Sequence, residues 1–139
     1  MAETNVERNH ELVLKMLGAY MTGDEATLKS IIGPESEVHG DPGILNTGTY
    51  HGYAGFRQWV QQWEEAWDEI DYELGEMIDV GDSIVVTPVH VVGRGAGSGV
   101  EIDSVFGWLY EFRDGRAVRF HVYATVESAI ESAERLADE

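Results

Sequence analysis

Alternation of bulky apolar residues with smaller or polar ones is most regular between Ile84 and Ala124. From Val100 to Phe112 the even positions hold Ile102, Phe106, Trp108, Tyr110 and Phe112, and the two-residue period of a strand gathers them on one face. That face must be buried. The odd positions, Glu101, Asp103, Val105, Gly107, Leu109 and Glu111, form a mixed face open to solvent or to a partner subunit. Ala117 to Ala124 alternates likewise, with Val118, Phe120 and Val122 against Arg119, His121 and Tyr123.

The turn Arg113-Asp114-Gly115-Arg116 decides how these two strands pair, because a slip of one residue exchanges the faces. A two-residue loop centred on Asp114-Gly115 sets His121 opposite Trp108. A three-residue loop with Gly115 in a left-handed bulge sets Phe120 opposite Trp108, Val122 opposite Phe106 and Val118 opposite Tyr110. The second keeps apolar with apolar and is preferred. It sends Arg119 and His121 together to the mixed face.

Upstream the period changes. Thr4 and Glu7 form a capping-box pattern, after which Val6, Val13, Met16, Leu17 and Tyr20 fall on one helical stripe ending near Met21. Gly23 suits a left-handed cap, and Asp24 caps a short helix with Leu28, Ile31 and Ile32, which Gly33-Pro34 stops. Glu35 to Gly40 reads as a short strand, followed by a polar, glycine-bearing loop through His51.

Gly52 to about Asp68 reads as the clearest helix, with Phe56, Trp59, Val60, Trp63 and Trp67 at three- and four-residue spacing. Such a ridge suits core packing as well as a pocket wall. Asp71 to Val80 and Ile84 to Val92 read as strands; Pro88 in the second cannot donate to a ladder, so it marks a bulge or an amide facing no neighbour. Thr125 caps a last helix carrying Ala129, Ile130, Ala133 and Leu136.

The chain of 139 residues is expected to form one domain with an ordinary core. It has no cysteine, which excludes disulfides, thiol nucleophiles and thiolate metal sites. Twenty-six acidic residues against nine basic ones give a net charge of −17, so neither nucleic acid nor an anionic membrane is an expected partner. No apolar run nears the roughly 18 residues of a membrane span, and no basic-then-apolar leader opens the chain. A cytoplasmic protein is expected.

The glycine-rich run Gly93 to Gly99 joins strand to strand and is no phosphate loop. His10, His39, His51, His90 and His121 show no His-x-x-x-His spacing. Neither a metal nor a cofactor is expected.

Thr22-Gly23-Asp24, Gly48-Thr49-Tyr50-His51-Gly52, Arg94 with Gly97-Ser98-Gly99-Val100, and Phe112-Arg113-Asp114-Gly115-Arg116 give the chain a resemblance to the SnoaL-like branch of the nuclear transport factor 2-like superfamily. The resemblance implies an α+β fold: a cone-shaped, curved antiparallel sheet wrapped by N-terminal helices around a pocket, also described as cystatin-like. It implies a small apolar molecule as partner, and isomerase-, cyclase- or hydrolase-like chemistry, with a non-catalytic binder or interaction module as the alternative.

Residue by residue, the position of the ketosteroid isomerase base resembles Asp41-Pro42, while that family's oxyanion-hole positions correspond to Met16 and Trp108. The catalytic positions of limonene epoxide hydrolases correspond to Val89, Val91 and Val122, and the acid/base aspartate of SnoaL-type cyclases lies near the same Val122. The remaining catalytic candidates are His39 and Asp41, one strand period apart at a strand end that the resemblance puts at the pocket mouth. A near-neutral imidazole beside a carboxylate suits proton abstraction or water activation; equally, Asp41 suits opening a turn before Pro42.

Tyr20, Trp59, Trp63, Val89, Val91, Phe106, Trp108, Phe120 and Val122 are the expected pocket wall. Leu109, Arg119, His121 and Tyr123 on the mixed face are the expected interface of a homodimer.

Overall fold

A computed structural model describes residues 5–40 and 48–138. Thr4 of the capping-box pattern and Asp41 of the catalytic pair lie outside the described residues. Two helices come first, α1 (Asn5–Thr22) and α2 (Glu25–Ile31), then the short strands β1 (Glu37–Gly40) and β2 (Gly48–His51). Helix α3 (Gly52–Glu65) follows, then β3 (Trp67–Leu74), β4 (Ile78–Val80), β5 (Ile84–Gly95), β6 (Glu101–Arg113), β7 (Arg116–Tyr123) and α4 (Val126–Ala137). The strands form one curved, unclosed sheet in the order β2-β1-β7-β6-β5-β3, with β4 also paired to β5. The architecture is α+β, as expected. Among the described residues no helix is long and apolar enough to cross a membrane.

The sheet is mixed where an antiparallel one was expected, because β1 runs parallel to β7. A parallel pair needs a long crossover, which the chain between Gly40 and Arg116 supplies. Local signals held at the helix ends: Gly23 has φ +74°, Asp24 accepts from the Thr27 amide, and Thr125 accepts from the Ser128 amide at 3.1 Å.

Helix α3 stops at Glu65, short of the expected Asp68, so Trp67 opens β3 instead of extending the aromatic ridge. Glu64, Glu65, Asp68 and Glu69 explain the early stop, since carboxylates at the negative end of the helix dipole oppose further turns. The region expected to be loop up to His51 contains β2, and the expected strand from Asp71 to Val80 is broken in two at Gly75-Glu76-Met77.

Pro88 sits at that break. β4 pairs with Ile84 to Val86 and β3 with Val89 onward, leaving the proline nitrogen no ladder partner to miss. The Gly75 amide donates to the Pro88 carbonyl at 2.7 Å. The β5–β6 register runs from Ile84 to Arg94 without a shift, so Pro88 causes no bulge.

The β6–β7 turn is a correction with an unexpected outcome. Arg113 pairs with Arg116 across a two-residue loop, with Asp114 at φ 52° and Gly115 at φ 79° as a primed hairpin turn requires. The preferred three-residue loop is absent. A bulge then places Val118 as the extra residue, so that Tyr110 faces Phe120 and Trp108 faces Val122. The expected pairs Phe106–Val122 and Tyr110–Val118 do not form. The faces nonetheless sort as expected, with Phe120 and Val122 inward and Arg119 and His121 outward.

Burial is two-sided along β6. Its inner face, carrying Phe106, Trp108, Tyr110 and Phe112, joins the main core with Val85, Val89 and Val91 of β5 and the apolar stripes of α1, α2 and α3. Its outer face meets α4: Leu109, together with Ile84 and Val86 of β5, packs beneath Ala129 and Ala133. Gly107 lets the helix settle, because a Cβ there would come within 2.7 Å of Ala129 Cβ and 2.8 Å of the Thr125 carbonyl oxygen. Gly107→Ala is therefore expected to destabilise the fold by about 1–3 kcal/mol, the usual range for overpacking, read from urea unfolding.

Candidate functional site

Three elements meet over the inner sheet face. Helix α1 contributes Met16, Leu17 and Tyr20, and α3 contributes Phe56, Trp59, Val60 and Trp63, spaced so that one helical face looks down on the sheet. From the sheet come Tyr72, Trp108, Tyr110 and Phe120. Together they line a cavity of about 50 Å³. An engineered apolar cavity that takes benzene is about 150 Å³, so a ring-sized guest requires the wall to part.

The aromatic rings brace one another. Trp59 and Trp63, one helical turn apart, stack at 5.8 Å, and Phe120 stands edge-on to both Trp59 and Trp108 at 5.8 and 5.7 Å. Tyr72 meets Trp108 edge-on at 5.6 Å. Such pairs add about 0.5–1.5 kcal/mol each beyond area burial and hold the wall in one geometry.

The polar groups sit toward one side. Trp63 Nε1 donates to Tyr72 Oη at 2.7 Å, and the Tyr20 ring stands edge-on to Tyr72 at 6.3 Å. These contacts join α1, α3 and β3. Burial chiefly raises the pKa of Tyr20 above the ordinary phenol value, with Tyr72 and Glu64 adding to it. Burial likewise raises Tyr72, and it alone raises Tyr110. All three phenols stay protonated at neutral pH and act as neutral hydrogen-bonding groups.

Trp108 is 8% exposed, and its indole nitrogen has no hydrogen-bond partner among the described residues.

The expected wall residues Tyr20, Trp59, Trp63, Trp108 and Phe120 line the cavity. Val89, Val91, Phe106 and Val122 are buried in the same core but stand behind it. Sequence reading did not assign Met16, Leu17, Phe56, Val60, Tyr72 and Tyr110 to the wall, although each lay in phase with its helix or strand. Periodicity marks a buried face; which part of that face borders a void depends on how the helices cross the sheet.

His39 does not face this cavity. Val38 takes the inward position on β1 and His39 the outward one, where its ring stacks on His121 at 5.2 Å; His121 in turn stacks on Tyr123 at 3.8 Å. Parallel pairing aligns His39 with His121 and Val38 with Phe120, so the expected place of His39 at the pocket is corrected by strand phase. The imidazole contacts Glu37 Oε1 through Nε2 at 3.0 Å and Thr49 Oγ1 through Nδ1 at 3.1 Å. A carboxylate only accepts, so Nε2 carries the proton and Nδ1 accepts from the threonine hydroxyl. Burial, then the neighbouring Arg119, lowers the His39 pKa below its ordinary value.

The expected interface is also redistributed. Leu109 is fully buried under α4 and has no surface left for a partner. Arg119, His121 and Tyr123 are half-buried on the outer face; Arg119 pairs with Glu111 at 3.3 Å, and the Tyr123 hydroxyl hydrogen-bonds Ser132 Oγ on α4. Among the described residues no group of three or more acidic or histidine side chains is placed to hold a metal ion.

A model of the SnoaL-like domain matches residues 13–120. No curated protein matches the chain. Among solved structures the fold is similar to that of an NTF2-like protein from Burkholderia xenovorans LB400, at 19% identity and a TM-score of 0.77, covering 92% of this chain and 97% of that one. It is also similar to TerC, co-crystallised with polyporic acid, at 21% identity and a TM-score of 0.72, covering 91% and 98%. A proposed SnoaL-like polyketide cyclase from Jannaschia sp. CCS1 aligns at 13% identity and a TM-score of 0.75, covering 96% and 97%. At these identities the likeness is one of fold.

The shifted phenols fix a direction for alkaline stability. A pKa raised in the folded state means that the native protein holds its proton after the unfolded chain, near pH 10, has released it. Stability is then fully present below pH ~10 and falls above it. Tyr110→Phe is expected to flatten that fall by up to about 1.4 kcal/mol per pH unit, read from urea unfolding between pH 8 and 11.

Proposed function

Because the chain belongs to the SnoaL-like domain family, we propose that it binds a small, largely apolar ring molecule in the cavity beneath α1 and α3. The make-up of the wall carries this reading: among the described residues, apart from Met16, Leu17 and Val60, every lining residue is aromatic, and none is a carboxylate, an imidazole or a cation. Small-molecule sites are commonly concave and apolar with few polar groups. The protonated phenols provide hydrogen bonds but no base at neutral pH, so binding without turnover is the primary reading.

The catalytic alternative is an isomerase-, cyclase- or hydrolase-like activity. It draws support from the proposed polyketide cyclase among the structural neighbours, and Asp41 is the sequence candidate left to carry it. TerC's polyporic acid suggests quinone-like rings as the first compounds to try.

Homodimer formation is a second proposal, now confined to the outer strip of Glu37, His39, Arg119 and His121. The stacked, half-buried rings on this strip favour it. The charge of −17 on each copy opposes association at low ionic strength. Light scattering at micromolar concentration should return a dimer mass that strengthens with salt; a monomer mass in both low and high salt removes the proposal.

Three of the four tryptophans line the cavity, so binding is directly readable. Small aromatics, cyclic ketones and quinones are expected to raise the melting temperature and quench tryptophan fluorescence, with affinity within about twofold in His39→Ala. A panel that moves neither signal counts against the pocket. Turnover that Asp41→Ala abolishes establishes the catalytic alternative instead.

A further inference from the structure

The cavity holds more hydrogen-bond donors than its own residues satisfy. An indole N–H can only donate, and that of Trp108, on a residue 8% exposed, meets no acceptor among the described residues. A buried donor left unpaired is costly, and native cores seldom keep one without a reason. The rings of Tyr72 and Phe120 lie edge-on beside it, and an N–H contact to a ring is a second-order interaction. Two residues along the same face of β6, Tyr110 brings a phenol into the wall on a residue 2% exposed. Burial is the sole cause of its shift, with no hydrogen bond contributing.

Trp63 and Tyr72 already bond to each other. No acceptor among the described residues is placed to take the Trp108 N–H.

We propose that the guest of this cavity supplies that acceptor: an uncharged oxygen, such as a ketone or quinone carbonyl, on an apolar ring, taking the indole N–H of Trp108 with Tyr110 as the second donor. The inference rests on the pocket reading above and sharpens it to a ligand class. Trp108 and Tyr110 are then specificity residues. A hydrocarbon of the same shape leaves the indole unpaired, and an amine brings a donor where donors are already in excess. An anionic guest finds no cation in the described wall. In the closed form the indole nitrogen is sealed from solvent, so it is reached only as the guest parts Trp108 from its neighbours.

The test compares two probes that differ only in the oxygen, acetophenone and ethylbenzene, by isothermal titration calorimetry on the full chain. Wild type should bind acetophenone at least fivefold more tightly. Trp108→Phe should bring the two within about twofold by weakening acetophenone, with ethylbenzene unchanged or tighter; Tyr110→Phe should narrow the gap partially. Equal affinities in wild type overturn the inference while leaving the pocket in place, and so does a preference that survives in Trp108→Phe. If neither probe binds, the pocket reading falls and this inference with it. Should Trp108→Phe fail to fold, the wild-type comparison and Tyr110→Phe still decide.

Discussion

One extra residue in β7 sets the direction of nearly every side chain discussed above. The two-residue loop at Asp114-Gly115, continued without interruption, would turn His121 inward opposite Trp108; the bulge at Val118 moves the register by one and turns Phe120 and Val122 inward instead. β1 then takes its phase from β7 through parallel pairing, which buries Val38 beside Phe120 and leaves His39 on the outer face with His121. The aromatic character of the cavity and the absence of an imidazole from its wall thus have a single origin. Burying Arg119 and His121 unpaired would cost several kcal/mol, whereas a bulge costs little more than one lost ladder bond.

Which face of each strand is apolar was legible from the sequence, because the period of two is a property of the chain alone. How the faces came to match was not. Both turns offered for Arg113 to Arg116 assumed a regular ladder, and the protein combines the less favoured turn with a bulge that no local pattern announces. The same limit applies to Leu109. Its odd position on β6 marked it as outer-face, but whether a helix or a partner covers that face depends on where α4 returns. Gly107 held the only local hint, a glycine in a strand interior where another backbone comes close.

The site was legible to a similar depth. Trp59 and Trp63 were visible as a helical ridge and Trp108 and Phe120 as inward strand positions, and these do border the cavity. Tyr72 and Tyr110 were in phase yet not assigned to the wall, since periodicity does not separate a tyrosine that packs in the core from one that borders a void. His39 was misjudged because parity within β1 says only that alternate residues share a face. Which face is inner is settled by β7, some eighty residues away in sequence.

The sheet is open, and β3 is one of its outer strands. An open edge presents unpaired amides and carbonyls on which a second chain can extend the ladder, the usual start of aggregation. Here Asp68, Glu69, Asp71 and Glu73 are exposed along that strand, between the half-buried Ile70, Tyr72 and Leu74. Two copies approaching edge to edge would bring these carboxylates against their own kind. The acidity gathered on this strand therefore acts as a colloidal safeguard at an edge of the sheet able to recruit another copy.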